Sequence, residues 1–308
     1  MMKRSAMYLL PAIVFLQSCA LYAPEPRTDY AGTVPDRFSL YTEAAVDATN
    51  RWWTTFESPE LDALIDEALT NSPSLQQAFA RLAQADAVAA RTRAERYPSL
   101  DYNARASATR NEGSSETLEN YSAGLLASYE VDLWGRVKSD AEAQRLEYEA
   151  SREALNTAAI TLSSRTALAW TGIIAQRLQL DVIERQLEAN RTSLELIELR
   201  FRKGITSALD IYQQRQAVAG TESLIPLREL VEETQRNELA VLLGRAHFES
   251  LQIMQEHLPL IGPPPAVGIP ADLLANRPDV RQSGLRLQAA EWQVSAARAD
   301  RLPAIRLT

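Results

Sequence analysis

Cys19 is the only cysteine of the chain, and its setting is the one place in the sequence arranged for covalent chemistry. A lone thiol excludes an intramolecular disulfide. Two histidines leave little for metal or acid–base work. No phosphate-binding loop, paired-histidine metal motif or activated serine or cysteine setting is present, so the reading expects no enzyme activity, no metal and no cofactor. A formal net charge of -8 argues against a nucleic-acid surface, which would need a basic face.

The residues before Cys19 say what its thiol is for. Lys3 and Arg4 give a positive start, and Ala6 to Leu16 (AMYLLPAIVFL) is apolar but too short for a bilayer span of about 20 residues. Charged start, short apolar core and small residue Ser18 before the break make a secretory signal over residues 1–18. With Leu16 three residues ahead of Cys19, the site resembles a bacterial lipobox, where diacylglycerol alkylates the thiol and the cysteine becomes the mature N-terminus. Gln17 departs from that pattern, where a small residue is usual, and Ala20 resembles the sorting pattern for the outer membrane. The alternative is an ordinary signal peptide with an incidental cysteine. Acyl chains contribute about 0.8 kcal/mol per buried methylene, so a multiply acylated Cys19 would anchor stably.

The elements beyond the anchor change period three times. Residues 19–57 read as a lipidated, extended tether. Ser58 and Pro59 then open a helix with the stripe Leu61, Leu64, Ile65, Ala68 and Leu69, and Asn71-Ser72-Pro73 breaks it. A second helix, about 74–96, ends before Pro98. From about 99 to 133 the period becomes two. Leu100, Tyr102, Ala104, Ala106 and Ala108 alternate with polar residues, and so do Tyr121, Ala123, Leu125, Ala127, Tyr129, Val131 and Leu133. Two such runs of about 10 residues meet the requirement of a transmembrane hairpin. A half-buried hairpin of a soluble domain has the same pattern, so the alternation alone decides nothing.

A heptad then takes over. Steps of seven from Leu155 and from Ala159 give fourteen positions, ending at Ile197 and Phe201, of which eleven are apolar. A helix over about 138–202 would be roughly 95 Å long, more than a bilayer needs. Gly204 reads as its cap and turn. A return helix is expected over about 207–244, bent near Pro226, and a Pro-rich linker over 258–270.

The chain also repeats itself. At an offset of 205, eleven of the thirty residues 69–98 are identical to their counterparts, among them Asn71/Asn276, Pro73/Pro278, Arg93/Arg298, Arg96/Arg301 and Pro98/Pro303. About two would match by chance. The first repeat occupies 58–257, and residues 271–308 begin a second copy that stops where its hairpin should start. The fold class expected is mainly α with a β-hairpin: long coiled-coil helical hairpins plus transmembrane β-barrel strands, in a duplicated architecture truncated after the start of repeat two.

Several motifs together resemble the TolC-type outer-membrane factors, specifically the NodT-like lipoproteins of resistance-nodulation-division efflux systems. They are Arg51-Trp52-Trp53 with Phe56 and Pro59-Glu60-Leu61, the Asn-x-Pro breaks, Tyr129 to Arg136 (YEVDLWGR), Arg200-Phe201-x-x-Gly204-x-x-Ser207-x-Leu209-Asp210, Leu242 to Arg245 (LLGR), and Ile269 to Val280 (IPADLLANRPDV). The resemblance implies a homotrimer with four strands per protomer in one barrel and a helical tunnel in the periplasm. It implies a passive duct for drugs or other toxic compounds, energised by an inner-membrane pump and joined to it by a periplasmic adaptor. It places Lys203, Gly204 and Ile205 at the tunnel tip that meets the adaptor, and Asp210 in the gating network. Asp210 is equally placed to cap the return helix, and both roles could coexist.

By this reading the chain is an incomplete form: two strands per protomer are too few for the barrel, and the apolar seam of the long helix would be left exposed. The competing function is a periplasmic coiled-coil lipoprotein, or an adaptor-like protein, with no pore. It accounts for the anchor and the helix but not for the two alternating runs or the second Asn-x-Pro copy.

Overall fold

The computed structural model describes residues 23–24, 51–110, 117–246, 251–260 and 276–308. The signal segment, Cys19, nearly all of the tether, the hairpin turn and most of the Pro-rich linker lie outside the described residues. Six α-helices of the described chain are α1 (Pro59–Asn71), α2 (Pro73–Ala94), α3 (Arg136–Arg202), α4 (Ala208–Glu222), α5 (Leu224–Leu243) and α6 (Pro278–Ala299). The strands are β1 (Ser99–Arg110), β2 (Thr117–Val131) and β3 (Ile305–Leu307), in the order β1-β2-β3 with both pairs antiparallel. Contacts divide the chain into two units, and α2 and α3 each run from one into the other.

One unit comprises residues 37–79 and 155–269. Ser58 caps α1 by accepting the Leu61 N–H, Pro59 starts the helix where its missing N–H costs no bond, and Glu60 and Asp62 face the positive helix end. Leu61, Leu64, Ile65 and Ala68 are buried and pack with Trp170, Ile173 and Ile174 of α3 and Leu239, Leu242 and Leu243 of α5. The Glu60 carboxylate accepts Trp170 Nε1 at 3.2 Å and the backbone N–H groups of Met254 at 2.6 Å and Gln255 at 3.2 Å. Arg177 and Arg236 hold the Ile253 and Leu251 carbonyls of the same segment at 2.7 and 3.1 Å. The Arg-Trp-Trp motif is structural as well. Trp53 is buried, Trp52 Nε1 donates to Ser163 at 3.3 Å, and Arg51 Nη2 donates to both carboxylate oxygens of Asp66 at 2.6 and 2.7 Å.

The heptad seam of α3 is covered, contrary to the expectation from sequence. Of its fourteen positions only Phe201 is exposed. The covering comes from α1 over the first half of the seam and from the chain's own return segment. Asn190 on the seam donates to Thr221 at 3.0 Å and its carbonyl accepts Gln214 at 3.0 Å, fixing the register by polar contacts at otherwise apolar positions. Arg165–Glu238, Arg177–Glu232 and Arg191–Glu222 pairs flank the seam. The return segment is two helices rather than one, separated at Ser223. Pro226 falls in the first turn of α5, where it removes no helical hydrogen bond.

The other unit comprises, among the described residues, chiefly those of 80–154 and 270–308. Here the repeat becomes visible in the backbone. α2 and α6 are each 22 residues long and begin and end at the same offset of 205. Both unwind with the same bonds, Tyr97 N–H to Ala94 and Leu302 N–H to Ala299, each at 3.0 Å. A strand follows each helix, β1 after α2 and β3 after α6. A carboxylate buried on α3, Glu153, is matched by Arg281 of α6 at 2.6 Å, which ties the second copy to the first.

Candidate functional site: a strand hairpin and a helical tip

In the hairpin, the register decides what the alternation means. Leu100 pairs with Ala127, Tyr102 with Leu125, Ala104 with Ala123 and Ala106 with Tyr121. The apolar series of β1 and of β2 therefore share one face, because side chains opposite each other in a ladder point the same way. On the other face Asp101, Asn103, Arg105 and Ser107 lie opposite Leu126, Gly124, Ser122 and Asn120. Every residue of β1 is exposed, and Tyr102, Leu125 and Tyr121 keep 80%, 75% and 73% of their surface. Within the chain, this apolar face is uncovered.

The hairpin base is held by residues whose individual roles the sequence reading missed. Glu130 accepts from Arg136 Nε at 3.0 Å and Nη2 at 2.7 Å, and its other oxygen accepts Arg306 Nε of β3 at 3.2 Å. One carboxylate thus joins the end of β2, the start of α3 and the second repeat's strand. Asp132 takes the Val137 and Lys138 N–H groups at 3.2 and 2.8 Å, capping α3 at its positive end. Gly135 has φ +76, which lets the chain turn from strand to helix. Trp134 Nε1 donates to the Pro303 carbonyl at 3.0 Å. The signal in the sequence was weak, because Asp132 lies four residues before the first helical residue, Arg136, and not at the cap position where a helix-start acid is looked for.

The helical tip belongs to the other unit. Gly204, at φ +72, accepts the reversal after α3: its N–H bonds the Phe201 carbonyl at 2.8 Å, and the Ile205 N–H bonds Arg200 at 2.9 Å. These are the two bonds of a Schellman motif. Ile205 is exposed, as are Lys203 and Gly204. Asp210 sits one turn into α4 and completes a capping box: its own N–H reaches Ser207 Oγ at 3.4 Å and its carboxylate takes the Ser207 N–H at 2.9 Å. Thr206 also donates to that carboxylate. The Thr206 hydroxyl, then the Ser207 N–H and hydroxyl, hold the Asp210 pKa below its ordinary 3.8. The capping role is therefore present. A depressed acid stabilises the fold above its unfolded-state value, and that contribution is lost as pH falls through the lower folded-state value. NMR titration of Asp210 should give a midpoint below 3.8, and a midpoint at or above that value would contradict the capping geometry.

Of the residues singled out from sequence, the structure gathers Lys203, Gly204, Ile205 and Asp210 at one turn. Cys19 lies outside the described residues. Among the described residues no helix is long and apolar enough to cross a membrane, and no group of acidic, histidine or cysteine side chains could hold a metal ion.

Known proteins share this arrangement. The family model for outer membrane efflux proteins matches residues 64–245. The chain is 33% identical over 310 residues to the pyoverdine export outer membrane protein OpmQ of Pseudomonas putida, covering 97% of this chain and 66% of that protein. It is 32% identical over 317 residues to the cation efflux system protein CusC of Escherichia coli, with the same coverage. A solved structure of the outer-membrane channel OprN superposes with a TM-score of 0.78 at 26% identity, over 92% of this chain and 65% of that one. The chain spans about two thirds of the length of the relatives it matches.

Proposed function

The chain belongs to the outer membrane efflux protein family, and on that premise we propose that it is a channel component of a tripartite efflux pump, a passive duct rather than an enzyme. The β1–β2 hairpin inserts in the outer membrane with its apolar face to lipid and its polar face to the lumen. The long α3 and its return helices extend into the periplasm as part of a tunnel wall. The observation that carries this reading is the register: two alternating runs, paired so that one face is apolar and uncovered from Leu100 and Ala127 to Ala106 and Tyr121. From Leu100 to Ala106 that face covers six steps, about 20 Å along the strand, most of the apolar band of an outer-membrane barrel, and Glu119 opposite Ala108 ends it. A pore-free coiled-coil lipoprotein would need no such hairpin.

The finer parts of the proposal are these. Acylated Cys19 anchors the protein in the outer membrane. Three copies assemble the duct. The turn at Lys203, Gly204 and Ile205 meets a periplasmic adaptor, which links it to an inner-membrane pump of the resistance-nodulation-division type, and Asp210 contributes to the gate near that tip. OpmQ is named for pyoverdine export and CusC for cation efflux. Drugs or other small toxic compounds are the cargo class proposed here. Cells that rely on this gene product for export should retain a fluorescent pump substrate when Ile205→Glu or Gly204→Trp is introduced. Crosslinking of the tip to the adaptor should fall in parallel while the amount of protein in the outer membrane is unchanged. Unchanged export and crosslinking in both variants would remove the docking assignment. Mass spectrometry of the mature N-terminus tests the anchor: an unmodified Cys19, or a different start, would rule it out.

A further inference from the structure

The repeat duplicates a short charged sequence at the end of each of its two helices, in which Ala299 is buried and the arginines are exposed. Arg93-Ala94-Glu95-Arg96 ends α2, and Arg298-Ala299-Asp300-Arg301 ends α6. A proline follows each, and then a strand, so the two motifs stand at the starts of β1 and β3. The ladder brings them to the same end of the sheet. Ser99 pairs with Ser128 and Ile305 with Val131, so the starts of β1 and β3 lie on either side of the β2 base, three residues apart along it. Trp134, bonded to Pro303, and the exposed Tyr97 lie at that end too.

The charges of the duplicated motif are not used alike. Glu95 and Asp300 both act on Asp140 at the start of α3: that carboxyl is pushed up by burial, drawn down by Arg136, and pushed up again by Glu95, Asp300 and Asp132. Arg93, Arg96, Arg298 and Arg301 are exposed, as are Arg91 and Lys138, and none of these six makes an ion pair among the described residues. Arg93 and Arg96 also border a cleft between α2 and α3 lined by Asp86, Glu142 and Glu149, of which Glu142 and Glu149 are matched by Arg145 and Arg152. With Arg136 and Arg306, eight cations gather near the hairpin base in a chain of net charge -8.

We infer that the paired arginines ending α2 and α6, with Tyr97 and Trp134 beside them, form a collar that binds the phosphate headgroups of anionic phospholipid at the surface from which the hairpin enters the membrane. This rests on the membrane-spanning reading of the hairpin. Guanidinium groups on exposed helix ends reach phosphate oxygens in bidentate fashion, and aromatic rings with a polar edge settle at the headgroup level. Basic residues next to a membrane segment are attracted by anionic lipid and fall silent on a neutral surface. The duplication gives each protomer two such points, one on either side of the β2 base.

The test uses the full chain and two kinds of vesicle, neutral phosphatidylcholine alone and phosphatidylcholine with roughly one-third phosphatidylglycerol. Binding should be about ten-fold tighter to the anionic vesicles. Replacing Arg93, Arg96, Arg298 and Arg301 together by glutamine should abolish most of that preference, and replacing them by lysine should keep it. Circular dichroism should be unchanged, since none of the four is paired. No preference in the wild type, or a preference retained by the glutamine variant, would overturn the collar. Inorganic phosphate should displace the protein from the anionic vesicles at an ionic strength where chloride does not, and equal displacement by the two salts would overturn recognition of the phosphate group. Protease protection of the hairpin in the same vesicles reads the spanning proposal separately. A hairpin cut in both vesicle types defeats that proposal, while the collar still stands or falls on the lipid preference of the glutamine variant.

Discussion

Gly244→Ala is expected to destabilise the unit that contains α1 and α5 by about 2–5 kcal/mol, the sum of two costs that occur at the same residue. Gly244 has φ +73, a left-handed conformation that costs an L side chain roughly 1–2 kcal/mol. It also has no room. A Cβ there would lie 2.6 Å from the Asn71 carbonyl oxygen and 3.4 Å from Pro73 Cδ. Both neighbours are backbone or ring, so neither can swing aside. The close approach is what docks the end of α5 on the break between α1 and α2, and the next residue locks it: Arg245 grips Glu67 with Nε and Nη2 each at 2.7 Å. Gly204 is the control. It has nearly the same φ, +72, but nothing within 4 Å of its would-be Cβ, so Gly204→Ala should cost only the conformational part, about 1–2 kcal/mol. Urea unfolding of the two variants checks the difference. Equal midpoints would mean that the Asn71 contact contributes nothing.

Leu125→Arg is the variant with the largest expected effect on location. Leu125 pairs with Tyr102 on the apolar face, the fourth of the twelve pairs of the ladder from its base. If that face meets lipid, an arginine there costs about 2–4 kcal/mol near the bilayer midplane. Asn103→Arg, on the opposite face beside Gly124, should be tolerated, because a lumen-facing charge stays hydrated. The ratio of protein in the outer-membrane fraction to protein in aggregates, compared between the two variants, reads the result directly. Equal tolerance of both would leave the hairpin without a lipid face and return the coiled-coil lipoprotein to favour.

Much of the architecture was legible because it depends on period. The heptad from Leu155 to Phe201, the alternation from Leu100 to Leu133 and the offset of 205 are one-dimensional signals, and each names an element without knowledge of its neighbours. Stop signals were legible too. Pro73 and Pro278 cannot continue a helix with a free N–H, and Gly204 accepts a backbone sign that other residues resist. The return segment was less legible, since a proline in a helix's first turn and one that bends a helix look alike in sequence. The long seam was misjudged for a related reason. Its apolar positions are plain in the sequence, but which surface covers them is not, and the chain's own α1, α4 and α5 do so.

The sequence by itself determined the elements, the duplication and the capacity of the hairpin for two unlike faces, because periodicity is set by local geometry. Only the tertiary structure decided the register that puts Tyr102 beside Leu125, the contact of Gly244 with Asn71, and the gathering of Glu130, Arg136 and Arg306. Those pair residues up to 176 positions apart, and such pairings follow from how whole elements pack, which no local pattern encodes.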